Sequence, residues 1–484
     1  MKLYLVTAFF AVTQVISAQA PPSSPHRISP VAVPGRIDSA ELASFVDTLI
    51  TAQMAQENIP GAVFLLVKDG RVFYQRGYGF ANVARRQPVD PTKTIWRIGS
   101  ISKVFTATAV VQLADHGRFR LTDDVNRYLR RFKVPPTFPE PVTFQHLLTH
   151  TAGFDEIRPG TRAETAAGVL PLGDFLATKL VRLRSPGQTI SYSTYGITLA
   201  GYLVEQISGM DFETYLARNV WHPVGMTRTS ITVPDSLKPD LAQGYEYEGG
   251  ANKLAEWEWY HTTPASSINA SAADMGRFII AQLQNGRYGN TRIMSEAAAV
   301  DMHRQHMTSH QRLAGFAYGF YEEHANGEQL LEHGGNVEGF SAQLTLIPAR
   351  GIGFFSASQH EPARLRDVVQ SALLDHYFPA PPPVPPTPMP GYRERAPRFA
   401  GTYELNQFCH TCGADRREYP RIEVKPNGDG TISITGNPQP LVEVSPMFFR
   451  RVNGTGGGVA FRDDASGRVT LLAGDSWIVF ERIK

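Results

Sequence analysis

The chain has 484 residues, 42% hydrophobic and 19% charged, which is ample apolar content for a real core and excludes wholesale disorder. Lysine plus arginine number 47 against 45 aspartate plus glutamate, a balance with no nucleic-acid footprint. Two cysteines exclude a disulfide-rich scaffold and a four-cysteine zinc or iron–sulfur site.

Residues 1–18 read as a signal peptide: Lys2 supplies the positive start, Leu3 to Val15 an apolar run, and Ser17, Ala18 and Ala20 the small residues of a cleavage region. A cut after Ala20 would leave Pro21 behind the scissile bond, so the cut is expected after Ala18. The run is too short to span a bilayer, no later stretch spans one, and no cysteine follows for a lipid anchor. The mature protein is therefore expected to be secreted or periplasmic. Residues 19–38 are a Pro- and Ser-rich leader.

A first domain is expected over residues 39–379. Ser39 caps a helix to about Asn58, with Leu42, Phe45, Val46, Leu49, Ile50 and Met54 at helical spacing. Ala62 to Val67 and Val72 to Tyr78 read as strands joined by an Asp-Gly turn. Helical patterns dominate from Ser100 to about Asn285. Strands return at Glu338–Ile347 and Ile352–Ser358, before a helix over about Pro362–Tyr377. Strands at both ends around a helical insertion give an α+β fold, one antiparallel sheet plus a helical subdomain. Residues 380–397 read as a stiff Pro-rich linker. Residues 398–484 carry eight short alternating runs: Phe399–Leu405, Arg421–Lys425, Thr431–Thr435, Leu441–Ser445, Met447–Val452, Val459–Arg462, Val469–Leu472 and Trp477–Arg482. Gly- and Asn-rich turns separate several of them, and the pattern predicts a small up-and-down barrel that packs its own core.

Three local patterns carry chemistry. In Gly99-Ser100-Ile101-Ser102-Lys103, Ser100 and Lys103 share one helix face, about 5–6 Å apart at Cβ, and the helix N-terminus favours an oxyanion at Ser100. A lysine base must fall from ~10.4 toward ~7–8 to take a serine proton. Lys103 alone among ten lysines has a serine three positions earlier. Ser191-Tyr192-Ser193-Thr194 places a tyrosine on a loop before a helix, where a nearby cation would let it relay protons. His333-Gly334-Gly335-Asn336, read as a turn entering the strand at Glu338, offers glycines for close backbone approach and an N–H for an oxyanion hole.

Together the three resemble the motif set of the serine β-lactamase and penicillin-binding-protein superfamily, in the branch of class C lactamases, D-peptidases and family VIII esterases. "HLLTHTAGF" (His146 to Phe154), "HPVGM" (His222 to Met226) and "SAADMGRFI" (Ser271 to Ile279) are also family-like. The resemblance spans about Ala40 to Tyr377. It implies a β-lactamase/transpeptidase-like fold, with Ser100 as acylated nucleophile, Lys103 as its base or charge partner and Tyr192 as general acid or base. His333 takes the third-motif position, the Ser100 and Asn336 N–H groups form the oxyanion hole, and Thr194, Gly334 and Gly335 contact substrate. Thr194 stands where the family usually has asparagine. The mitochondrial lactamase-like peptidases are similar at Ser-Ile-Ser-Lys and Tyr-Ser-Thr. The C-terminal barrel resembles the lipocalin-like domain appended to some of these hydrolases.

The expected activity is serine hydrolysis of a small peptide, D-amino-acid amide or ester, with no cofactor, no metal and no nucleic-acid partner. A weak β-lactamase, a cell-wall D-alanyl carboxypeptidase, and an inactive peptide- or lipid-binding protein are the competing readings. His146 and His150 have the spacing of a zinc helix, and His303, His306 and His310 also recur helically, but His146 lacks the following glutamate of a zinc protease. Cys409 and Cys412 read as a local disulfide in an exported chain.

Overall fold

The computed structural model describes residues 37–157, 159–361, 364–413, 420–474 and 477–483. The segment 1–18 expected to be a signal peptide, and all but the end of the expected leader 19–38, lie outside these residues. Helix α1 spans Ser39–Glu57. Its cap is Asp38, not Ser39: the Asp38 carboxylate accepts the N–H groups of Ala40 and Glu41 at 3.0 Å each, and Asn58 ends the helix in the left-handed region.

Strands β1 (Gly61–Lys68), β2 (Arg71–Asn82) and the short β3 (Gln87–Pro88) follow. Asp69 and Gly70 both have positive φ, as the tight turn between β1 and β2 demands. Late in the chain come β4 (Tyr321–Ala325), β5 (Glu328–Val337), β6 (Phe340–Ile347) and β7 (Ile352–Gln359). The sheet runs β4-β5-β6-β7-β1-β2-β3, so the two ends of the domain meet where Ala62 to Lys68 pair antiparallel with Ser358 to Ile352. The sequence reading found β6 and β7 but missed β4 and β5.

Both sheet faces are covered, which makes β1 apolar throughout. Val63, Leu65 and Val67 enter one core with α2 (Ser102–Asp115), α3 (Thr194–Ser208) and α4 (Ala272–Leu283). Ala62, Phe64 and Leu66 enter the other, against α1 and α5 (Leu365–Tyr377). The period-2 alternation thus serves two cores. Among the described residues no helix is long and apolar enough to cross a membrane.

The C-terminal barrel is closed. Its strands are β8 (Gly401–Leu405), β9 (Arg421–Pro426), β10 (Ile432–Ile434), β11 (Leu441–Ser445), β12 (Phe448–Arg451), β13 (Gly458–Asp463), β14 (Val469–Gly474) and β15 (Val479–Arg482). β15 pairs back onto β8 through Tyr403↔Arg482. Phe399, Tyr403, Phe449, Phe461, Leu472 and Phe480 fill the lumen. Their sequence neighbours point outward: Phe448, Ala460, Leu471 and Val479 join Ile190, Leu313 and Phe316 of the first domain in one buried cluster. The barrel therefore has a core of its own and shares a second with the first domain. The Pro-rich segment lies along the barrel: the Met389 N–H donates to Glu443 O at 2.9 Å, and a Cβ on Gly454 would stand 2.1 Å from Val384 O.

Candidate active site

The site forms where α2 begins beneath the edge of β5. A single 3₁₀ turn, Gly99–Ile101, leads into α2. Gly99 has φ +52°, and a Cβ there would lie 2.9 Å from the Asn336 nitrogen. Ser102 fixes the turn from below, donating its hydroxyl to Gly99 O at 2.6 Å and accepting the Ile268 N–H at 3.0 Å. Lys103, 1% exposed, donates from Nζ to Ser100 Oγ at 2.9 Å and to Ala265 O at 3.0 Å. The helical spacing thus does what the sequence pattern implied: a buried amine meets a serine hydroxyl at a helix start.

His333-Gly334-Gly335-Asn336 is not a turn. It is the second half of β5, paired with Leu344 to Ser341 of β6, and the turn comes later at Glu338-Gly339. β4 stops at the Tyr321↔Glu332 pair, so from His333 onward the other edge of β5 faces the Ser100 turn. A Cβ on Gly335 would stand 1.9 Å from Ile98 O and 3.1 Å from the Ser100 nitrogen, so a side chain there would push the two segments apart. Gly334 donates its N–H to Tyr321 Oη at 2.7 Å. Two residues on, at the same phase of the antiparallel ladder, the Asn336 N–H leaves the strand on that same edge. Arg366 of α5 steadies this peptide from behind, donating from Nη1 to Asn336 Oδ1 at 3.0 Å, Ala342 O at 3.1 Å and Gly335 O at 3.3 Å.

Tyr192 closes the site. The Lys103 ammonium lies 5.0 Å from its ring centroid. His150 stacks on the ring at 4.4 Å, His333 lies at 6.2 Å, and Trp477 of the barrel lies at 5.3 Å. Ser193 caps α3 with its hydroxyl on the Gly196 N–H. Thr194 opens that helix and donates its N–H to Glu156 Oε2 at 2.8 Å.

His333 is 2% exposed. Its Nδ1 sits 2.7 Å from Gly334 O, which only accepts, so Nδ1 carries the proton and Nε2 holds a lone pair. That Nε2 is buried with no hydrogen-bond partner among the described residues. Burial first, and then the nearby Lys103 charge, push the imidazole down to about 3, so it is neutral at physiological pH. His150 is held neutral in the same way, by burial and by Lys103 and His333; its Nδ1 accepts the Ser193 N–H at 3.0 Å.

Ser100, Lys103, Tyr192, His333, Gly335 and the Asn336 backbone thus converge. Tyr321, Arg366 and Trp477 join them without having been singled out from sequence, and so does His150, which sequence had singled out only as a zinc-spaced histidine within a family-like stretch. His146 does not pair with His150 as a zinc couple, because its Nδ1 accepts the Thr143 N–H at a helix start. Among the described residues no cluster of metal-ligating side chains forms. Cys409 and Cys412 are joined in a disulfide, with Cα atoms 5.7 Å apart.

The Beta-lactamase family model matches residues 46–376. The chain belongs to the Beta-lactamase family. Protein flp of Staphylococcus aureus (strain MRSA252) is 27% identical over 319 residues, covering 64% of this chain and 61% of the relative's own length. The octameric penicillin-binding protein homologue from Pyrococcus abyssi superposes with TM-score 0.60 at 24% identity, over 91% of this chain and all of that one. SurE, solved with D-Leu, superposes with TM-score 0.63 at 21% identity, over 92% of this chain and all of that one. These two structural likenesses cover more of the chain than the family match does, and at that identity they speak to fold alone.

Proposed function

We propose that this Beta-lactamase family member is an exported serine hydrolase that works through an acyl-enzyme on Ser100. The observation that carries the reading is the 2.9 Å hydrogen bond from buried Lys103 Nζ to Ser100 Oγ. Lys103 reacts as the neutral amine: as substrate binds, its lone pair takes the Ser100 proton and becomes the ammonium, while Oγ attacks the carbonyl carbon. The developing oxyanion is held by the Ser100 and Asn336 N–H groups, at a helix start where the partial positive charge favours it. Tyr192, with Lys103 against its ring, gives its phenol proton to the leaving nitrogen or oxygen and regains one from the Lys103 ammonium. Water then hydrolyses the Ser100 ester with the same groups in reverse.

The substrate is a small peptide, D-amino-acid amide or ester. His333 offers a lone pair where a third-motif lysine would offer a charge, so this wall attracts an N–H or O–H donor and has no fixed pull on a carboxylate. That weighs against an efficient β-lactamase or a D-alanyl carboxypeptidase. The solved complex of the structurally similar SurE with D-Leu fits a D-configured residue. The lipocalin-like barrel restricts entry: Trp477 faces Tyr192 and also lies 6.3 Å from Tyr321. Its lumen is filled by Phe399, Tyr403, Phe449 and Phe461, which argues against a barrel that carries lipid or peptide inside.

Treatment with a fluorophosphonate, followed by mass analysis of the peptides, tests the reading. One adduct on the Ser100 peptide is expected in the natural chain and none in Ser100→Ala. Labelling elsewhere, or full ester turnover by Ser100→Ala, would overturn it.

A further inference from the structure

The segment that carries Tyr192 is gripped from the barrel. Residues 188–193 lead into α3 as irregular chain, and four barrel residues hold them or their neighbours. Arg462 donates to Gln188 O and to Thr189 Oγ1, both at 2.6 Å. Asn406, 2% exposed, donates from Nδ2 to Ile190 O at 2.8 Å, and its own carbonyl accepts the Ser191 hydroxyl at 3.3 Å. Trp477 covers the Tyr192 ring. Glu481 pairs with Arg184, with the Arg184 Nη2 atom 2.9 Å from Oε2.

A second grip passes through the disulfide turn. Asp155 of the first domain is 1% exposed, and its carboxylate is satisfied from the barrel: it accepts the His410 N–H at 2.9 Å, the Thr411 N–H at 3.0 Å and the Thr411 hydroxyl at 2.7 Å. The Cys409–Cys412 bridge closes the turn that presents these donors. The next residue, Glu156, accepts the Thr194 N–H, two positions past Tyr192. The turn therefore bears on the tyrosine loop from one side while Asn406 bears on it from the other.

We infer that Asn406 and the disulfide-closed turn 409–412 are positioning groups for Tyr192, so that the barrel completes the catalytic site as well as bordering it. The physical reason is geometric. Proton relay needs the phenol held within hydrogen-bond reach of its partners, and a loop without regular secondary structure has no ladder of its own to fix it. His150 holds the Ser191 and Ser193 N–H groups from within the first domain, and the barrel's donors with the Asp155 carboxylate add the rest of the fixation. The inference rests on Ser100 hydrolysis as proposed above.

The test uses the full chain and p-nitrophenyl acetate, whose acyl group is a two-carbon acetyl. Asn406→Ala is expected to lower kcat about tenfold to a hundredfold with KM little changed, the scale of a misplaced catalytic group. In a Tyr192→Phe background the same substitution is expected to add less than about twofold, because it acts through the lost hydroxyl. The Cys409→Ser/Cys412→Ser double variant should behave alike, and reductant should slow the natural chain but not that variant. Equal losses in both backgrounds, or an unchanged kcat in Asn406→Ala, would overturn the inference. Should Asn406→Ala fail to fold by circular dichroism, Asn406→Asp, which keeps the shape but loses the N–H to Ile190, is read by the same cycle. Failure of the underlying reading is separately visible: the natural chain would then carry no fluorophosphonate on Ser100, whatever Asn406 does.

Discussion

Gly335→Ala and Gly334→Ala should part company, although the glycines are adjacent. A Cβ on Gly335 would stand 1.9 Å from Ile98 O, a backbone atom of the Ser100 turn. The shortest ordinary C···O contact is about 3.3 Å, so the turn and β5 must separate by more than about 1 Å. That movement opens the gap between the Ser100 and Asn336 N–H groups, and a misplacement of about 1 Å costs about 10²-fold in rate. Removing one oxyanion donor outright costs about 10²–10³-fold. Overpacking at such a site costs about 1–3 kcal/mol of stability, which the folded chain survives. At Gly334 the nearest atoms are Arg366 Nη1 at 3.0 Å, Gln343 Oε1 at 3.1 Å and Tyr321 Oη at 3.2 Å, all ends of side chains that need give by only a few tenths of an ångström. The assay is ester turnover with circular dichroism and thermal melting on both variants. Gly335→Ala should lose about 10²–10³-fold in kcat while folded, and Gly334→Ala less than about tenfold, as befits a change outside the oxyanion donors. Equal losses, or a Gly335→Ala enzyme within about tenfold of the natural one, would refute the argument from close approach.

Tyr192→Phe should lower kcat by about 10²–10⁴-fold, the scale of general acid–base catalysis; a loss under about tenfold across the pH range would remove it as the relay. His333 is neutral when folded, with its affinity for protons pushed down to about 3, whereas unfolded it protonates below about 6.5. The unfolded state then binds the extra proton, so stability should fall as pH drops from about 6.5 toward 3, by about 1.4 kcal/mol per pH unit for this residue. His333→Gln should flatten that slope in pH-dependent melts, and the acid limb of kcat/KM should contain no group at 6–7 that disappears with it. Truncation after Phe378 would bare Ile190, Leu313 and Phe316 and strand the buried Asp155 carboxylate. Turnover of a small ester should fall, while the ratio of long to short substrates rises; an unchanged ratio rejects the restricting role of the barrel.

Much of this architecture was legible in the chain. The eight barrel strands fell within two residues of their observed ends, because short alternating runs between Gly- and Asn-rich turns admit few other readings. Ser100 and Lys103 were legible because helical spacing is local. β5 was not, since Gly334 and Gly335 carry no side chains to alternate, and the run looked like a turn. The cap went to Ser39 in place of Asp38 for a similar reason, as both residues favour that position. The hydrogen bonds that seat the barrel had no local signal: Asn406 meets Ile190 and Thr411 meets Asp155 across more than two hundred residues, and a hydrogen bond across that distance leaves no period in the sequence. The outward row Phe448, Ala460, Leu471 and Val479 did hint at it, being apolar on the face that a lone barrel would show to water.

The central claim is covalent turnover at Ser100, and a rapid-quench experiment with a p-nitrophenyl ester reads it directly. The account predicts an acyl adduct on the Ser100 peptide that forms and decays at rates consistent with steady-state turnover, and no adduct in Ser100→Ala. Turnover by the natural chain with no acylated Ser100 at any time, and with Ser100→Ala equally active, would contradict it.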